Sequence, residues 1–331
     1  MDVRFTPEQR ILRQSVKQVI NRLGLSAVAD LADEQRAARL DEAVEESDWR
    51  RLRAPDEAGN PWASGVEAAI VAEALGHGLA DVPFLGPTLA MELRRLAKAS
   101  AATGRETVGL RRNLSALASP GEPAVAIDAA CAESVLLLAA DGTLASVKLR
   151  GQPAATDLTR PSVPIPTAEA VTVGSLTEAD RQRWIALALT LTTADLVGSM
   201  QGALDLAVTY AGQRAQYGKR IGSFQAVAHL LADAVVHIEG ARAALLYAAW
   251  GVDALDPWDA VAAAASAKAY AARAARSVCE TCIQVHGGIG NSWECLAHVY
   301  LRRTLLATDV LGGVGPNLAR VLEHVGLKGR L

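Results

Sequence analysis

The stretch that most constrains this chain begins at Thr177. Thr177-Glu178-Ala179-Asp180 reads as a helix cap, and the helix it opens reaches about Ala211. That is roughly 35 residues, or about 50 Å, which is long for a globular helix. A second helix begins after Ser223. Its apolar positions Val227, Leu231, Ala234, Ile238, Ala241, Leu245 and Ala248 alternate spacings of four and three, a seam for near-antiparallel packing. Asp256-Pro257-Trp258-Asp259 starts a third helix, with Asp as N-cap and Pro behind it, running towards Ile283. A fourth spans about Trp293 to Asp309. Four long helices with short links pack most simply as an antiparallel bundle. Aromatic residues make up only 4% of the chain, and the apolar content is dominated by Ala, Leu and Val, which suits closely packed helices.

The rest of the chain falls into two regions. Residues 1–103 read as helices. Thr6-Pro7-Glu8-Gln9 is a capping box that opens a helix to about Leu23, and Ser64-Gly65-Val66-Glu67 repeats the signal before an Ala-rich run that Gly76 and Gly78 can stop. Pro83 and Pro87 punctuate the next connection. Residues 104–176 change character. Ser134–Leu138 and Leu144–Leu149 are strand-like runs around Asp141-Gly142, a type I′ hairpin signal, so this region is expected to be a small β domain. The bundle would occupy 177–331. The expected fold class is mainly α: an N-terminal helical domain, a small middle β domain and a C-terminal antiparallel four-helix bundle.

At 331 residues the chain has ample material for a core, and half of it is hydrophobic, which excludes disorder. Its 33 basic and 36 acidic residues give a formal charge of −3, with no electrostatic footprint for nucleic acid. No strongly apolar run is long enough for a membrane span, and the N-terminus lacks a signal peptide, so a cytoplasmic location is the expectation. Cys131, Cys279, Cys282 and Cys295 are too few for a disulfide scaffold. Cys279 and Cys282 form a C-x-x-C pair without a second pair or a thioredoxin-like context, so they read as ordinary buried thiols and no metal site is expected.

Two segments carry Gly and polar residues that a bundle does not need. The first runs Arg214-Ala215-Gln216-Tyr217-Gly218-Lys219-Arg220-Ile221-Gly222-Ser223-Phe224-Gln225 and links the first two bundle helices. The second, Gln284-Val285-His286-Gly287-Gly288-Ile289-Gly290, links the third and fourth. Each reads either as a plain helix–helix turn with a Gly cap or as a phosphate cradle. In the cradle, Arg214 offers a bidentate fork and the Gly run lets backbone N–H groups approach an anion.

In this order the two segments resemble the acyl-CoA dehydrogenase family over nearly the whole chain. The pattern R-x-x-F/Y-G-x-x-I-x-x-F/L-Q is matched at Arg214, Tyr217, Gly218, Ile221, Phe224 and Gln225. The pattern Q-x-x-G-G-x-G is matched at Gln284, Gly287, Gly288 and Gly290, and Ala72–Gly76 through Pro83-Phe84 is similar to the family's first domain. The resemblance implies α,β-dehydrogenation of an acyl-CoA thioester by FAD, with electron-transfer flavoprotein as acceptor. It also implies that these segments reach a neighbouring subunit's flavin. Arg214 and Gln216 would meet the pyrophosphate, Tyr217, Ile221 and Phe224 would wall the adenosine half, and Gln284 with the amides of Gly287 and Gly288 would complete the contacts. Gln225 and His229 read as bundle packing and capping residues.

The chain departs from the family twice. A Glu base is usual in a Y-E-G-T type turn after the last long helix, or else on the first bundle helix. Here the turn falls on Val310-Leu311-Gly312-Gly313, so the slot holds Leu311, and the stretch Trp184–Leu189 has no carboxylate either. Asp309, two residues before the slot, is the weak candidate carboxylate, and it reads first as a solvated helix end. The T-E-P-x-x-G-S-D type segment that covers the flavin ring is missing between 105 and 176. This pattern resembles the small subunit of actinobacterial heteromeric acyl-CoA dehydrogenases. Those are heterotetramers of two larger and two smaller subunits in steroid and lipid degradation, with FAD at the subunit interface. The expectation is a subunit that serves a larger, base-bearing partner. A homo-oligomeric enzyme with a non-standard base and a non-catalytic scaffold are the alternatives.

Overall fold

The computed structural model describes residues 4–326 apart from 152, 155 and 166–169. The N-terminal helices form where their caps are. Thr6 and Gln9 close a capping box on α1 (Pro7–Leu23), Asp33 accepts the Arg36 N–H at the start of α2 (Glu34–Glu46), and Ser64 with Glu67 caps α3 (Gly65–His77). Gly78 ends α3 as expected. Pro87 does not interrupt the next connection but lies in the first turn of α4 (Leu85–Leu96). There its missing N–H would have had no helical partner.

Six strands follow: β1 (Glu106–Arg111), β2 (Ala124–Ala126), β3 (Ser134–Leu138), β4 (Thr143–Lys148), β5 (Val163–Ile165) and β6 (Val171–Ser175). They form one sheet in the order β5-β2-β1-β3-β4-β6, in which only the β1–β3 pair is parallel. The expected hairpin is β3–β4, but its turn is not type I′. That type needs left-handed conformations at both central residues. Here the Gly142 N–H closes onto the Ala139 carbonyl at 3.0 Å, and within the turn only Gly142 has positive φ (+91°).

The helical half consists of α5 (Glu178–Gln213), α6 (Gln225–Ala254), α7 (Pro257–His286), α8 (Ala297–Asp309) and α9 (Val314–His324). The expected seam of α6 faces inward: Ala234, Ile238, Ala241, Leu245 and Ala248 are buried, and Val227 and Leu231 half-buried. The fourth bundle helix is shorter than expected, because residues 292–296 turn before α8 begins, and α9 adds a further short helix. The central element is α5, whose residues from Ala186 to Met200 are all buried, as befits a helix that is surrounded on every side. Against α3 it packs backbone to backbone. A Cβ on Gly198 would lie 1.9 Å from the Glu73 carbonyl oxygen, and one on Gly76 would lie 2.5 Å from that of Asp195. One continuous hydrophobic cluster joins α1–α4, one face of the sheet and the bundle. No helix among the described residues is long and apolar enough to cross a membrane.

Candidate functional site

Arg214 caps the C-terminus of α5, its N–H bonding the Tyr210 carbonyl at 2.8 Å. The chain then folds into a two-residue hairpin, Ala215-Gln216 pairing with Lys219-Arg220. Its turn residues Tyr217 (φ +51°) and Gly218 (φ +72°) both adopt the left-handed conformation, the geometry a type I′ turn requires. The I′ turn thus lies here and not at Asp141-Gly142. The hairpin holds Tyr217 91% exposed, with its ring edge-on to Phe224 at 6.5 Å. Ile221 and Phe224 are half-buried beneath it, and Gln216 and the Arg214 side chain are exposed. Among the described residues no hydrogen bond or ion pair holds the Arg214 guanidinium. Gln225 and His229 are exposed, which overturns their reading as packing residues: they lie on the outer face of α6, opposite its seam.

The second segment lies beside the first. Tyr210, one turn before Arg214, stacks on His286 with ring centroids 4.6 Å apart. The parallel helices α5 and α7 therefore end side by side. Gly287 ends α7 at φ +65°, and a Cβ on Gly287 or Gly288 would meet nothing within 4 Å. Gln284, Gly287 and Gly288 are all exposed. One expectation needs correcting: the Gly287 amide is not free for an anion, since it bonds the carbonyls of Ile283 and Gln284 to close the helix. His286 Nδ1 lies 2.7 Å from the Cys282 carbonyl. Burial alone would lower the His286 pKa, but bonds to the Cys295 thiol and that carbonyl outweigh it and raise it. Cys279 and Cys282 are buried, and burial pushes the Cys279 thiol up to about 12, the behaviour of inert core thiols.

The turn in the family's base position is closed. Leu311 is 2% exposed at φ +60°, and its N–H donates to the Leu114 carbonyl at 2.7 Å in the loop after β1. Its own carbonyl accepts from Arg320 Nη1 at 2.8 Å. Asp309 stands exposed at the end of α8, and Trp184 on α5 is buried with its indole N–H on the Leu89 carbonyl. Between sheet and bundle remains a cavity of about 170 Å³ lined by Leu85, Ile127, Asp128, Arg160, Thr192 and Val310, among others. That is close to the roughly 150 Å³ that holds one benzene.

Beside this cavity lies a buried charge network that sequence reasoning missed. Asp195 on α5 accepts from Arg303 on α8 at 2.6 and 3.0 Å and pairs with Arg160 at 3.0 Å. Arg160 also pairs with Asp157, and Arg303 reaches Thr159 Oγ1 and the Ala80 carbonyl, both at 2.9 Å. Asp128 accepts the Phe84 and Gly86 N–H groups on one oxygen, while the other has no partner. Burial raises its pKa. Lys268 on α7, fully buried, donates to the Ala307 carbonyl, and burial lowers its pKa to about 7. Five separate segments supply these charges, so no spacing in the sequence reveals them.

Residues 188–315 match the family model for the acyl-CoA dehydrogenase C-terminal domain. The chain is similar to the acyl-CoA dehydrogenase IpdE2 of Mycobacterium tuberculosis, 31% identical over 332 aligned positions that cover 96% of this chain and 98% of the relative. It is 43% identical to FadE34 of the same organism over 147 positions, 44% of this chain but only 21% of that protein. Its fold matches a chain of the Mycobacterium tuberculosis ChsE4–ChsE5 complex (TM-score 0.80, 24% identity, 98% of this chain and 99% of that one). It also matches a chain of the Tcur3481–Tcur3483 steroid ACAD (TM-score 0.82, 22% identity, 98% and 99%). A full-length relative above 30% identity, a matching family model and the architecture described above agree: the chain belongs to the acyl-CoA dehydrogenase family of flavin-dependent oxidoreductases.

Proposed function

We propose that this chain is the subunit of a heteromeric acyl-CoA dehydrogenase that completes the FAD site of a larger, base-bearing partner and is inactive alone. The contrast between its two candidate flavin-contacting regions carries the reading. At the end of α5 and α7 the chain is open and offers groups suited to the pyrophosphate and adenosine half of FAD. Arg214 offers an uncommitted fork, Gly287 and Gly288 leave space for close backbone approach, and Tyr217, Ile221 and Phe224 supply an apolar wall. At the turn 310–313 the chain does not fit a flavin ring and a base: Leu311 cannot take a proton and is clamped to the loop after β1. When bound, FAD supplies the hydride acceptor and the partner the carboxylate that removes the α-proton. This chain's part is to bind and orient the cofactor's nucleotide half.

The ChsE4–ChsE5 and steroid ACAD neighbours support a two-polypeptide assembly and a steroid-derived acyl-CoA substrate. The acceptor would be an electron-transfer flavoprotein and the setting cytoplasmic. The test is expression of the chain alone and together with a base-bearing acyl-CoA dehydrogenase subunit, read by flavin absorbance and acyl-CoA-dependent bleaching. The lone chain is expected to be colourless and inactive, and the co-purified assembly yellow and active. Stoichiometric, bleachable flavin on the lone chain would establish a homo-oligomeric enzyme instead, and an assembly without flavin would leave a scaffold.

A further inference from the structure

Leu114 lines the cavity of about 170 Å³, here the inner one, and Leu311, whose N–H it accepts, lines a second, here the outer one. The outer one, about 250 Å³, has an apolar floor of Leu117, Leu138, Trp184, Ile185 and Leu311, and three guanidinium groups line it: Arg111, Arg181 and Arg320. No carboxylate lines it among the described residues.

The three cations are unequally balanced. Arg111 lies 3.6 Å from Glu122 and Arg181 lies 3.5 Å from Glu178, both loose and solvent-facing pairs. Arg181 also donates to the Ala140 carbonyl at 3.0 Å. Arg320 on α9 is half-buried, and among the described residues its hydrogen-bond partners are neutral: the Leu311 carbonyl at 2.8 Å and Asn317 Oδ1 at 2.6 Å, both through Nη1. Desolvation lowers its pKa, and among the described residues no ion pair balances it. A partly desolvated cation without a counter-ion is costly to fold around, and a guanidinium fork is shaped for a carboxylate.

We propose that this cavity is a binding site for an apolar monocarboxylate: a carboxyl group held by Arg320 and Arg181, with its hydrocarbon body on Leu117, Leu138, Ile185 and Leu311. Scaling from benzene in about 150 Å³, the body would have on the order of ten heavy atoms. A free phosphate would satisfy the cations and leave the floor uncovered. A neutral hydrocarbon would cover the floor and leave Arg320 without a counter-ion.

Titration of the full chain with phenylbutyrate, followed by calorimetry, tests this, with phenylbutyramide as the neutral analogue and inorganic phosphate as competitor. Phenylbutyrate is expected to bind at least about tenfold more tightly than the amide. Arg320→Gln and Arg181→Gln should each weaken the acid by at least about tenfold and leave the amide unchanged. Arg112→Gln, at the inner cavity, should change neither. Since Arg320 also holds the turn at Leu311, Arg181→Gln keeps the test valid should the Arg320 variant unfold. Equal binding of acid and amide, no binding of either, or wild-type affinity in Arg181→Gln would each overturn the proposal. Inorganic phosphate that binds as tightly as phenylbutyrate would assign the site to phosphate instead.

Discussion

Single residues in this protein carry unusual electrostatic loads. Lys268 is enclosed with the Ala307 carbonyl as its acceptor, and burial lowers its pKa to about 7 in the folded chain against an ordinary 10.5. Below pH 7 both states hold the proton, and the cost of burying the charge is felt in full. Between 7 and 10.5 the unfolded chain binds more protons than the folded one, so this residue makes stability rise with pH, by at most about 1.4 kcal/mol per unit. Lys268→Met should raise the denaturation midpoint at pH 6 and flatten its climb above pH 7. A wild-type pH profile in the variant would show that the amine is not the cause. Asp195 is the opposite case. Asp195→Asn leaves Arg303 and Arg160 without their shared carboxylate in a buried site, and should cost about 3–5 kcal/mol in urea unfolding. The residues of the proposed nucleotide cradle were legible because Arg214, Tyr217 and Gly218 sit together in sequence, as do Gln284, Gly287 and Gly288. Asp195, Arg303, Arg160 and Lys268 were not, since a single charge in an apolar run has no period to betray its partner.

Among the elements, α5 decides the packing. Its contact with α3 depends on glycines that let one backbone meet another. Gly198→Ala should force the two helices apart and lower stability by about 1–3 kcal/mol. Gly212→Ala lies on the same helix with nothing within 4 Å of the new methyl, and should raise it by roughly 0.5–1 kcal/mol through helix propensity. Thermal melts of the two variants moving in the same direction would refute this account. Caps and seams set α1, α3, α5, α6 and α7 almost to the residue in the sequence. The strands β1, β2, β5 and β6 went unread because they pair across longer separations than the β3–β4 hairpin, and β2 and β5 are only three residues long. The helix α8 came out short because the Gly-rich link continues as a turn to residue 296.

At the scale of the molecule, one end of the bundle is open and the turn after α8 is shut. Among the described residues the Arg214 side chain makes no hydrogen bond or ion pair, so Arg214→Ala should leave the stability of the lone chain, read by thermal melts, unchanged within about 0.5 kcal/mol. In a co-purified assembly the same change should reduce flavin content. A destabilised lone chain would make Arg214 a structural residue instead.

The sequence by itself determined the helical architecture, the caps, the α6 seam and the family motifs, because each depends on residues a few positions apart. It also placed Leu311 where a base was expected. Only the tertiary structure decided that this slot is sealed by a bond to Leu114, that the Gly287 amide belongs to its own helix, and that a charge network and an arginine-lined cavity lie between sheet and bundle. Those features join residues up to 223 positions apart, as Arg303 and Ala80 are. No local pattern encodes a contact that only chain folding brings within hydrogen-bond reach.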